Sequence, residues 1–85
     1  MKIVVNKAFG GYSVPTEIAN EIGVWEYDES KEVRTNEKFI DWVESHPGSD
    51  LKVVEIPDNF TDWTISDYDG FETIYVVVDG RIIKF

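Results

Sequence analysis

The chain contains no cysteine, one histidine and three prolines, and its eight basic residues are outnumbered by seventeen acidic ones. Without cysteine there is no disulfide frame, no thiolate nucleophile and no thiolate metal centre, and nothing asks for an oxidising compartment. No apolar run approaches the roughly 18 residues of a membrane span. The opening Met1-Lys2-Ile3-Val4-Val5-Asn6-Lys7 is interrupted too early for a signal peptide, so a cytoplasmic protein with no membrane partner is expected. A net charge of −9 repels nucleic-acid phosphate and anionic lipid, and no basic patch offers a direct nucleic-acid contact.

What is present belongs to a globular chain: 42% hydrophobic and 14% aromatic residues in 85 positions, enough for one core, so residues 1–85 are expected to form a single domain. Lys2 to Asn6 is a short β-branched run before Gly10-Gly11 and reads as a buried strand and turn. Ser13 as N-cap, Pro15 in the first turn and the stripe Ile18, Ala19, Ile22 predict a helix over 14–22, stopped by Gly23. Thr35 as cap and Phe39, Ile40, Val43 predict a second over 36–46, stopped by Pro47-Gly48. Between them Val24 to Arg34 reads as a loose hairpin or irregular loop.

Leu51 to Ile56 reads as a strand ending in the turn cluster Pro57-Asp58-Asn59. Asp69-Gly70 and Asp79-Gly80 each separate β-rich runs, and Asp-Gly suits the type I′ turn, in which both central residues have positive φ. They predict a three-stranded meander of Trp63 to Tyr68, Phe71 to Val78 and Arg81 to Phe85. The expected fold is α+β, with two short helices packed on one face of a mainly antiparallel sheet that ends in this meander.

The run Lys2 to Lys7 with Gly10-Gly11-Tyr12-Ser13, then Arg34-Thr35, Leu51 to Asp58, and Trp63 to Gly70 resembles a family of small phage and prophage proteins. The end departs from that pattern, since Val76-Val77-Val78-Asp79-Gly80-Arg81 replaces a more charged tail. The resemblance implies a phage-encoded protein in a bacterial cytoplasm and supplies neither an activity nor site residues.

Candidate chemistry is thin. His46 sits at a predicted helix end, and Ser45 or Ser49 beside it does not by sequence adjacency make a nucleophile and base. Gly10-Gly11-Tyr12-Ser13 lies where a helix start could cradle an anion, but lacks P-loop spacing and is explained by turn geometry plus a cap. Asp67, Asp69 and Glu72 lack calcium-loop spacing; they read as solvated hairpin acids, with Asp67 and Asp69 on one side and Glu72 apart.

From Val53 to Gly80 there are seven acids and no base, interleaved with aromatic residues. The expected function is therefore that of a non-enzymatic, acidic binding protein. It docks an acidic and aromatic surface formed by Asp62, Trp63, Asp67, Tyr68, Asp69, Phe71 and Glu72 on a basic site of a host protein, such as a nucleic-acid-handling or defence factor. No catalytic residue, metal or cofactor is assigned. The alternatives are an assembly module that forms homo-oligomers through the edge strand Arg81 to Phe85, and a small-ligand or metal-binding module.

Overall fold

Ile3, Val4 and Val5 are all fully buried, which a strand achieves only when both of its faces are covered. In the computed structural model, which describes residues 1–85, they form the centre of β1 (Lys2–Asn6). The chain continues through α1 (Thr16–Ile22), α2 (Lys31–Arg34), α3 (Glu37–Glu44), β2 (Leu51–Glu55), β3 (Asp62–Tyr68), β4 (Phe71–Val78) and β5 (Arg81–Lys84). β1 and β2 make a two-stranded antiparallel sheet in which Val4 pairs with Val53 and Ile3 with Val54.

Alternation along this sheet sorts its side chains into two cores. Val4 and Val53 face the helices and pack with Ile18, Ala19, Val33, Phe39, Ile40 and Val43. Ile3, Val5 and Val54 face the other way, onto Trp63, Ile74 and Val76 of the second sheet. The molecule thus has three layers: helices, the β1–β2 sheet, and the β3-β4-β5 meander. Burying the middle strand on both faces explains why Ile3-Val4-Val5 carries no polar interruption.

The fold is the expected α+β class ending in the expected meander, and Asp69 (φ 50°), Gly70 (88°), Asp79 (51°) and Gly80 (72°) have the positive φ of type I′ turns. The sheet is divided into two rather than continuous. Three local expectations are corrected. Part of the segment expected as a loose hairpin or loop is the one-turn helix α2, begun by Ser30, whose hydroxyl accepts the Val33 N–H at 3.4 Å. Asn36, not Thr35, caps α3, its Oδ1 accepting from the N–H groups of Lys38 and Phe39 at 2.9 and 3.2 Å. Thr35 instead closes α2, donating to the Lys31 carbonyl at 2.7 Å. α1 starts at Thr16 after Pro15 and has no side-chain cap, so Ser13 does not serve as one.

Candidate functional site

The polar centre of the molecule lies where α2, β1 and β4 meet. Val33 of α2 turns into the core, so the next residue, Arg34, points along the seam between the two sheets, where only 2% of it is exposed. Glu72 meets it from β4, 1% exposed. The guanidinium donates to both carboxylate oxygens, at 2.9 and 2.7 Å, and also to the carbonyl of Val4 at 3.1 Å. The Asn6 amide donates to Glu72 Oε1 at 2.7 Å, so β1 reaches β4 through a side chain where a backbone ladder is missing.

The Tyr12 ring lies under the guanidinium, 4.0 Å from its carbon, and its hydroxyl donates to the Asp28 carbonyl at 3.1 Å. Burial pushes the Tyr12 hydroxyl well above its ordinary range, partly offset by the Arg34 charge. This phenol is therefore a neutral donor near neutral pH.

Beside this pair a groove of about 280 Å³ runs along β3, lined by Glu29, Lys31, Arg34, Trp63, Thr64, Ile65, Asp67 and Glu72. Carboxylate oxygens of Glu29, Asp67 and Glu72 lie within 4.8 Å of one another. Two of the three already have a cation, Arg34, bidentate to Glu72 and 3.6 Å from Glu29. Every buried side-chain nitrogen and oxygen has a hydrogen-bond partner. A carboxylate held by two guanidinium N–H groups and a backbone amide is poorly placed to take a proton from a substrate or to ligate an ion. The arrangement locks the three layers together.

The seven residues expected as one binding surface occupy four settings. Glu72 is in the buried pair, which corrects its reading as a solvated acid. The β3–β4 register places Asp67 opposite Glu72, so these two share the inner face and Asp69 is the one apart, in the turn. Asp67 accepts the Gly70 N–H at 2.8 Å. Asp62 pairs with Lys31 at 3.2 Å and accepts the Trp63 N–H at 2.8 Å. The hydrogen bond from Lys31, then that from the Trp63 amide, hold its carboxyl below the usual carboxylate range. Trp63 is buried, with the Lys31 ammonium 4.5 Å from its ring centroid. Tyr68, 73% exposed, and half-buried Phe71 pair across the strands on the outer face, with Phe9 against both rings.

Two other sequence features resolve into structure. A Cβ on Gly70 (φ 88°) would overlap the backbone nitrogen of Gly11, and the Gly10 N–H donates to the Asp69 carbonyl at 3.1 Å, so Gly10-Gly11 receives the β3–β4 turn. His46 stacks on Trp42 with centroids 3.9 Å apart, its Nδ1 2.6 Å from the Trp42 carbonyl and 3.1 Å from Ser45 Oγ. A carbonyl can only accept, so Nδ1 carries the proton and cannot activate the serine.

Of the outer face of the meander, sequence reasoning reached Asp62, Tyr68 and Phe71 and missed the rest. Register puts Asp62, Val77 and Ile82 on that face, then Thr64, Tyr75 and Lys84, then Ser66 and Thr73, then Tyr68 and Phe71. None of these is buried; Phe9 lies against Tyr68 and Phe71 at one end, Lys31 reaches Asp62 at the other, and no helix or further strand packs on the residues between. Only Asp62 and Lys84 are charged, in a chain that is 29% charged. The alternation Phe71, Thr73, Tyr75, Val77 signals this face, once Glu72, Ile74 and Val76 are known to point inward. No known protein family, curated protein or solved structure matches the chain.

Proposed function

We propose that this is a non-enzymatic protein-interaction module that docks a partner polypeptide on the uncovered side of its second sheet. The observation that carries the reading is the charge-poor outer face of Thr64, Thr73, Tyr75, Val77 and Ile82, which no helix or further strand covers. Half-buried Tyr75, Thr73 and Val77 and exposed Thr64 and Ile82 on a rigid sheet offer contact area at low entropic cost. A phage origin, proposed from the sequence alone, would make a bacterial lysate the source of the partner.

The test compares capture from that lysate by the wild-type chain, by Tyr75→Lys/Val77→Lys, and by a helical-layer control, Glu32→Lys/Glu37→Lys. A polypeptide held by the wild type and the control but lost by the sheet variant supports the reading. Capture that is indifferent to the sheet variant, or no capture at all, overturns it.

A second reading, an acidic surface docking on a basic host site, is favoured by a different observation. Thr16 to Glu44 holds nine acids against three bases, Lys31, Arg34 and Lys38. That reading predicts loss of the captured partner in the helical-layer control, with a steep salt dependence.

A further inference from the structure

The distribution of cations among partners is uneven. Lys2, Lys31, Arg34 and Lys38 have carboxylate partners, and Lys7 and Lys52 donate to backbone carbonyls. The other two cations of the chain, Arg81 and Lys84, pair with nothing and stand on the same four-residue strand, β5. Between them are Ile82, 73% exposed, and Ile83, 41% exposed.

β5 bonds to β4 on one side only. The Phe85 amide donates to the Ile74 carbonyl at 2.8 Å, and alternation along an antiparallel ladder then turns the backbone N–H and C=O of Ile82 and Lys84 away from β4, into solvent. On the opposite edge the outward carbonyl of Trp63 is taken by the Lys31 ammonium at 2.6 Å. Past the end of β5, the β4 carbonyl of Glu72 is taken by Lys7 at 2.8 Å. A charged side chain thus occupies an outward carbonyl at both of those places, while β5 keeps its backbone groups free beside two unpaired cations.

We propose that β5 takes up an extended acidic segment of a partner polypeptide as a fourth strand of the second sheet, its carboxylates meeting Arg81 and Lys84. The proposal deepens the protein-interaction reading above and rests on it. Residues opposite one another across a ladder share a face. The complementary segment therefore reads acid, apolar, apolar, acid: acids opposite Lys84 and Arg81, aliphatic residues opposite Ile83 and Ile82. A second copy of β5 fits less well, because it brings four cations together around the new ladder.

The probe is a blocked hexapeptide, Thr-Glu-Val-Val-Glu-Thr, titrated into ¹⁵N-labelled protein beside its Lys-Val-Val-Lys counterpart and a version with proline at both valines. The acidic peptide is expected to shift the β5 amides and to slow hydrogen exchange at the Ile82 and Lys84 amides, with the proline version inactive. Arg81→Glu/Lys84→Glu, whose fold the same spectra verify, is expected to bind the acidic peptide roughly ten-fold or more weakly and to prefer the lysine peptide. Equal binding of both charge versions, shifts centred elsewhere, or no change in the Ile82 and Lys84 amides at millimolar peptide overturns the proposal and leaves the two cations as guards against edge pairing between copies. If the peptide fails while Tyr75→Lys/Val77→Lys still loses its captured partner, the docking face stands and the acidic-strand assignment falls.

Discussion

At the scale of single residues, the Arg34–Glu72 pair shows why burial and function are separate questions. Two charges taken out of water are tolerated because each is bonded on several sides, yet such a pair adds little net stability over an apolar replacement. Removing one member leaves the other unpaired and buried, so Glu72→Gln is expected to cost about 3–5 kcal/mol in chemical denaturation. The double change Arg34→Met/Glu72→Leu is expected to recover part of that loss, the remainder reflecting the Asn6 N–H and Val4 carbonyl left without partners, and a double variant as unstable as the single one contradicts this. Asp62 makes a finer test. Its folded-state pKa is lowered, so its contribution is complete above the ordinary value of 3.8 and is lost as pH falls through the lowered one. Lys31→Met is expected to move the Asp62 carboxyl titration upward in a carbon-detected NMR titration, since the main cause of the shift is removed.

Among the elements, the two Asp-Gly turns look alike in sequence and differ in what surrounds them. A Cβ on Gly80 meets open space, whereas one on Gly70 meets the backbone of Gly10-Gly11. Gly80→Ala is expected to cost about 1–2 kcal/mol from its positive φ alone. Gly70→Ala is expected to cost about 1–3 kcal/mol more from overpacking. Equal midpoints for the two variants in thermal unfolding contradict the docking of this turn.

The same comparison shows what was legible in the sequence. The turns, the meander strands and the apolar stripes of α1 and α3 rest on local chemistry, and they form within a few residues of where Gly, Pro, Asp and hydrophobic spacing place them. α2 was hidden because four residues give too little periodicity, although Ser30 three residues before Val33 is a capping signal. The division into two sheets and the pairing of Arg34 with a glutamate 38 residues away depend on register between distant strands, which no local pattern encodes. The candidate site was legible only in part. Tyr68 and Phe71 do lie on the exposed face, while Glu72 and Trp63, of the same alternating run, point inward.

For the whole molecule, the layers separate charge from contact surface. The acid excess of Thr16 to Glu44 belongs to the helical segment, β1 of the middle sheet is buried on both faces, and the meander turns a nearly uncharged face outward with two unpaired cations on its edge strand. On the proposed function a partner docks on that side, while the Arg34–Glu72 centre holds the layers together. Backbone hydrogen exchange of the protein, free and bound to the partner its lysate capture yields, tests this most directly. New protection is expected within residues 71–84, with the amides of 16–44 unchanged. Protection confined to the helical segment, or to the groove beside Glu29 and Asp67, would contradict it.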